Sequence, residues 1–80
     1  MKRCREDIFA QILSICKDGA SKTRVVYQAN LNFRTVNPYL ETLIGNKLIE
    51  VRQGKNVMYE TTQKGASLLE TMGRVNEELI

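Results

Sequence analysis

The stretch from Leu31 to Thr62 limits the possible folds of this 80-residue chain more than any other part. Asn32 can begin a helix, because its side-chain oxygen can accept the free backbone N–H groups of a first turn. Apolar residues then recur at helical spacing and predict one buried stripe, made of Phe33, Val36, Leu40, Leu43 and Ile44. The pattern indicates a short amphipathic helix.

A two-stranded ribbon is predicted directly after this helix. Segments 48–53 and 57–61 are rich in β-branched and long apolar residues, and they flank the turn-forming Gly54-Lys55-Asn56. A small helix followed by a hairpin with a basic tip suits the grooves and phosphates of duplex DNA.

Two further helices precede the stripe. The first is predicted from about Arg5 to Asp18, and Ser21 can cap a second from Lys22 to about Ala29. Asn30-Leu31-Asn32 then makes a tight turn with Leu31 as a buried plug. Two short helices joined in this way indicate a helix-turn-helix. The predicted fold class is mainly α with a small β-hairpin, a winged helix-turn-helix.

The last helix, capped by Thr61 or Thr62, is predicted from Gln63 to Leu79. Four of its apolar residues are spaced four, three and four apart, as in a coiled-coil seam: Leu68, Met72, Val75 and Leu79. We interpret residues 1–62 as the winged helix-turn-helix domain and residues 63–80 as a helix that forms a homodimer. The alternative is that this helix covers only its own domain, as Leu69 beside the seam is expected to do.

The charge of the chain is concentrated in its middle. The net charge is +3, but residues 22–55 hold six basic residues against two acidic ones, whereas residues 60–80 hold two against four. Clustered positive charge is typical of a phosphate-binding surface, although ordinary solvated surface is the alternative.

The composition favours few other functions. The chain has no histidine, so Cys4 and Cys16 would lack partners for a zinc site, and no metal or cofactor is predicted. We expect Cys16 to be a small buried side chain and Cys4 a free thiol; a redox role for Cys4 stays open. There is no phosphate loop or nucleophile motif, which argues against an enzyme. No segment is long enough to span a bilayer, so a soluble cytoplasmic protein with no membrane contact is expected.

The order of elements resembles that of small archaeal winged-helix proteins. The matching segments are residues 22–27, 29–33, 39–43, 48–50 and 59–65. This family includes DNA-binding dimers whose last helices pair as an antiparallel coiled coil, so the resemblance implies double-stranded DNA and a second copy of the chain as partners. Winged helices also serve as protein-interaction modules, and docking on transcription or repair machinery is the competing function. Any small-molecule effector is unknown.

Two positions depart from the family pattern. The family usually has a glycine where Lys47 stands, so we expect Gly45 or Asn46 to supply the left-handed turn that ends the third helix. Pro38 lies too far into that helix for a first-turn proline, and we expect it to remove a hydrogen bond and bend the helix.

In a helix-turn-helix the exposed face of the third helix enters the major groove. Arg34 can form a bidentate contact to guanine, and Asn37 can form one to adenine. The predicted base-contacting residues are Arg34, Thr35, Asn37, Pro38 and Thr42. The predicted phosphate contacts lie on the second helix, at Ser21, Lys22, Thr23, Arg24 and Gln28. The predicted wing contacts are Arg52, Lys55 and Asn56.

Overall fold

The computed structural model describes residues 5–79 of the chain, and their side chains as far as residue 72. Its elements follow the predicted order, with a 3-10 turn over Cys16–Asp18 extending the first helix. They are α1 (Arg5–Ile15), α2 (Lys22–Ala29), α3 (Phe33–Gly45), β1 (Ile49–Gln53), β2 (Val57–Thr61) and α4 (Gln63–Leu79). The predicted class, mainly α with one β-hairpin, is confirmed.

One apolar core joins the three N-terminal helices to the start of the hairpin. Its members are Ile8, Ile12, Leu13, Cys16, Ala20, Val25, Val36, Leu40, Leu43, Leu48 and Ile49. Leu13 on α1 is fully buried. Leu31, in the turn between α2 and α3, and Leu69, on the inward side of α4, both pack against the core and are half-buried.

Two aromatic residues are not where the pattern put them. Phe33 was predicted within the apolar stripe, but 51% of it is exposed, because it begins α3 one turn before the stripe reaches the core. Tyr27 is an aromatic residue, a type that usually packs in a small domain, but it is 85% exposed on the outer side of α2. Tyr39 and Tyr59 do pack on the core.

An isolated β-bridge joins the hairpin to the connection between α1 and α2. β1 and β2 are antiparallel, with Ile49 opposite Thr61 and Gln53 opposite Val57. Ala20, between α1 and α2, exchanges two backbone hydrogen bonds with Tyr59, each 2.8 Å long. The base of the wing is therefore held by the α1–α2 connection, and its tip projects beyond it.

The helices begin with the predicted caps. Ser21 Oγ accepts from the Arg24 N–H at 3.2 Å, and Asn32 Oδ1 accepts from the Thr35 N–H at 2.6 Å. Each bond satisfies a backbone donor of a first turn that has no partner within the helix.

The end of α3 differs from expectation. Neither Gly45 nor Asn46 is left-handed; Lys47 itself is, with φ of 61°. The Lys47 N–H donates to Ile44 and the Leu48 N–H to Leu43, both at 2.9 Å, which is the hydrogen-bond pattern of a Schellman motif. The geometry follows from this bonding and from burial of Leu48, so the chain keeps the left-handed turn although it lacks the glycine.

Replacing Lys47 with glycine is expected to stabilise the fold by up to about 1 kcal/mol, because glycine adopts positive φ without the steric penalty of a Cβ. Urea unfolding measures the change. Lys47→Ala is the matched control, since it removes the same side chain but keeps the penalty. Equal stability of the two variants would contradict the role given to the left-handed backbone.

The start of α4 is joined to the end of α3 at Thr62. Its backbone N–H donates to the Leu48 carbonyl at 2.9 Å, and its hydroxyl donates to the Lys47 carbonyl at 2.7 Å. The same hydroxyl accepts from the Gly65 N–H at 3.1 Å, so Thr62 is the N-cap of α4. Thr61 instead donates to the Leu13 carbonyl at 2.6 Å.

Gly65 lets α4 approach this junction closely. A Cβ there would overlap the Leu48 carbonyl oxygen and would lie 2.8 Å from the Thr61 methyl group. Both neighbours are held, the first by backbone bonds and the second by its hydroxyl bond to Leu13. The position therefore has room for glycine alone.

Gly65→Ala is expected to destabilise the protein by about 1–3 kcal/mol, the usual cost of forcing a group into a packed site. Gly45→Ala is the control, because no atom lies within 4 Å of a Cβ there. That control should stabilise α3 by about 0.5–1 kcal/mol. Thermal unfolding measures both, and a Gly65→Ala protein as stable as the parent would rule out the close approach.

Candidate nucleic-acid interface

The polar face of α3 is exposed along its whole length. Val36, Leu40 and Leu43 are buried on the opposite side. The five residues predicted to contact bases are all exposed: Arg34, Thr35, Asn37, Pro38 and Thr42. The structure thus presents the predicted set on one accessible helix surface, together with Glu41.

Pro38 lies inside a helix that is continuous from Phe33 to Gly45. Proline has no N–H, so the Arg34 carbonyl loses the helix bond that residue 38 would otherwise give it. Thr42 Oγ1 donates to the Pro38 carbonyl at 2.9 Å. The hydroxyl hydrogen of Thr42 is therefore occupied, while its oxygen can still accept a hydrogen bond. The bend expected at Pro38 stays a prediction.

The predicted phosphate contacts of α2 fall into two groups. Thr23, Arg24 and Gln28 are exposed, whereas Ser21 and Lys22 are half-buried. Ser21 uses its oxygen as the cap of α2, so only its hydroxyl hydrogen could serve an external acceptor.

The wing carries one cation that is paired and one at its tip. Arg52 Nη2 lies 2.7 Å from Glu60 Oε1, and the two side chains are 65% and 29% exposed. Lys55 and Asn56 are exposed in the turn between the strands. The pairing of Arg52 was missed from the sequence, although a turn at residues 54–56 fixes the register that brings residues 52 and 60 together.

Lys64, at the start of α4, bonds to the end of α3. Its Nζ donates to the Asn46 carbonyl at 3.3 Å. A lysine at the C-terminus of a helix satisfies a free carbonyl and complements the helix dipole.

An aromatic stack that sequence reasoning missed supports α3 from the side of α1. The rings of Phe9 and Tyr39 meet edge to face, with centroids 5.0 Å apart. The Arg5 guanidinium lies 6.0 Å from the centroid of Phe9. Such contacts favour one rotation of α3 about its own axis, and that rotation determines which face of the helix is exposed.

Cys16 is buried in the core, as predicted. Burial raises the pKa of its thiol to about 11, because the thiolate would lose solvation, and the positive charge of Arg24 opposes this in part. The thiol is therefore neutral at physiological pH. Cys4 lies outside the described residues.

The part of the seam that the structure describes is only partly covered. Leu68 is 39% exposed and Met72 is half-buried. With Phe9, Leu43 and Leu48 they line an open apolar groove of about 310 Å³ between α1, α3 and α4. Val75 and Leu79 complete the predicted seam, but their side chains lie outside the described set.

Among the residues whose side chains the structure describes, no three or more histidine, cysteine, aspartate or glutamate residues form a cluster that could hold a metal ion. None of the described helices is long and apolar enough to cross a bilayer.

Comparison with protein families and curated proteins gave three matches. A family model described as winged helix-turn-helix matches residues 2–79. The uncharacterised protein MJ0287 of Methanocaldococcus jannaschii is 35% identical over 72 residues, which cover 89% of this chain and 71% of that protein. MJ0290 of the same organism is 34% identical over 76 residues, which cover 94% of this chain but 35% of that protein.

Several solved structures share the arrangement, among them two DNA-binding proteins. Sso10a-2, a DNA-binding protein from Sulfolobus solfataricus, has a TM-score of 0.77 and 27% identity, with 98% of this chain and 85% of that chain covered. BpsR of Bordetella bronchiseptica, whose DNA binding is regulated by 6-hydroxynicotinic acid, has a TM-score of 0.79 and 26% identity. The match covers 89% of this chain and 54% of BpsR, so this chain spans about half of it.

Proposed function

The chain belongs to the winged helix-turn-helix family, and from that premise we propose that it binds duplex DNA with sequence preference as a transcriptional regulator. The resemblance to small archaeal winged-helix proteins is confirmed by the family match and by the likeness to Sso10a-2. Both structural neighbours are DNA-binding proteins by their descriptions, which supports the proposal.

The observation that carries the proposal is the exposed polar face of α3. Arg34 and Asn37 offer donor and acceptor groups that suit guanine and adenine in the major groove, and Thr35 and Thr42 offer methyl groups for thymine. Each well-formed bidentate contact discriminates between bases by about 1–3 kcal/mol. The α2 residues and the wing bind the sugar-phosphate backbone and fix the register of α3.

We also propose that two copies of the chain associate through α4. The exposure of Leu68 and the apolar groove beside it support this, since a second helix would remove both from water. A dimer with the usual geometry presents two copies of α3 to successive major grooves, about 34–36 Å apart.

Fluorescence anisotropy with mixed-sequence duplexes at low and moderate salt tests the DNA proposal, and Arg34→Ala tests base reading. The parent should bind at micromolar or lower concentration and weaken steeply with salt, because each neutralised phosphate releases counterion. Arg34→Ala should lose about 1–3 kcal/mol of discrimination between sequences. Arg52→Ala and Lys55→Ala should each lower the affinity for DNA without changing the preference between sequences.

Lys17→Ala is the control, because this exposed lysine lies outside the proposed interface. Equal losses on all sequences for Arg34→Ala would remove its base-reading role. A parent that binds no duplex even at low salt would favour the competing function, a protein-interaction module, and a partner would then be sought by pull-down.

Leu68→Asp and Val75→Asp are expected to give monomers in sedimentation equilibrium, because a carboxylate in an apolar seam loses its hydration without a partner. Ser67→Asp adds the same charge at an exposed neighbouring position and should leave the dimer intact. An unchanged mass for all three variants would exclude α4 as the dimer contact.

A further inference from the structure

Glu60 on β2 is the acidic partner of Arg52, one of the two cations of the wing. We propose that Glu60 is a positioning residue that holds Arg52 along the ribbon and thereby weakens binding of the wing to phosphate. The inference rests on the proposed function, because it concerns how strongly the same interface holds the DNA backbone.

The register of the hairpin creates the pair. Arg52 lies opposite Met58, and Glu50 lies opposite Glu60. Side chains alternate between the faces of a strand, so these four residues share one face, and Arg52 and Glu60 are diagonal neighbours on it. Their 2.7 Å separation is that of a charge-assisted hydrogen bond.

The two partners differ in how firmly they are held. Glu60 pairs with Glu50 in the β-ladder and follows Tyr59, whose backbone N–H and carbonyl both bond to Ala20. Its carboxylate lies beside Gly19, where a Cβ would be 3.9 Å from Oε2. Arg52 has a long side chain with most of its surface in water. Arg52 is therefore the partner that moves when the pair opens.

The surroundings of the pair are acidic. Glu50 lies on the same face, directly opposite Glu60. Asp18, Arg52, Lys55 and Glu60 line one open depression beside the wing. The depression thus holds two carboxylates and two cations, and Glu50 adds a third carboxylate on the same face of the ribbon. A phosphate that approaches Arg52 must displace one carboxylate and tolerate the others.

This arrangement divides the work of the wing between two cations. Lys55 at the tip can bind phosphate without breaking an ion pair, whereas Arg52 can do so only after its ion pair with Glu60 opens. Glu60 thus lowers the affinity of the wing for any DNA backbone. The contacts of α3 therefore make up a larger share of the total binding free energy.

Anisotropy titrations of one mixed-sequence duplex over a salt series test the proposal. Glu60→Gln should bind about two- to fivefold more tightly at low salt, which corresponds to the strength of a typical exposed ion pair. The slope of log affinity against log salt should steepen by about 0.9, because one more cation neutralises a phosphate. Glu50→Gln removes the same charge from the same face without the ion pair and should have a smaller effect.

A double-mutant cycle with Arg52→Gln separates the pair from general charge effects. In the Arg52→Gln background, Glu60→Gln should change affinity no more than Glu50→Gln does. In the parent, Arg52→Gln should cost less affinity than Lys55→Gln, and this comparison decides the matter if Glu60→Gln does not fold. Equal effects of Glu60→Gln and Glu50→Gln, or equal costs at Arg52 and Lys55, would overturn the proposal alone. A parent that binds no duplex would fail the proposed function itself, and this inference with it.

Discussion

The close approach of α4 to the Leu48 carbonyl is the contact on which the placement of the other elements depends. Thr62 accepts from Gly65 and donates to Lys47, and its backbone bonds to Leu48. This junction joins the end of α3, the start of β1 and the start of α4 within a few residues. A shift there would change the direction of the hairpin and of the last helix together.

The base of the hairpin and its turn differ in how they are held by the rest of the domain. The base is bonded to Ala20 on one side and to the Thr62 junction on the other. The turn at residues 54–56 has no such support from another element. A rigid base with a free tip allows the wing to adjust to a backbone while α3 keeps its orientation on the core.

Local signals in the sequence were sufficient for most of the fold. The caps at Ser21 and Asn32, the hairpin turn and the period of the α3 stripe each act within a few residues, so they could be read directly. The exposure of Phe33 and Tyr27 depends on where the core ends, which no single helix pattern contains. The expectation of a glycine or asparagine at the end of α3 is wrong, because hydrogen bonds on both sides of Lys47 impose the positive φ there.

The candidate site divides in the same way. The exposed face of α3 followed from its own periodicity, but the role of each side chain there depends on partners that only the fold brings near. Arg52 illustrates this, since its pairing with Glu60 follows from strand register rather than from neighbouring residues.

The buried thiol of Cys16 gives the protein an internal reporter of its own opening. Alkylating reagents attack the thiolate, and this one is both enclosed by the core and disfavoured by a pKa of about 11. Modification at this residue must wait until the core around it opens. Its rate, followed by peptide mass, therefore measures how often that opening occurs, and any ligand that binds only the closed form slows it.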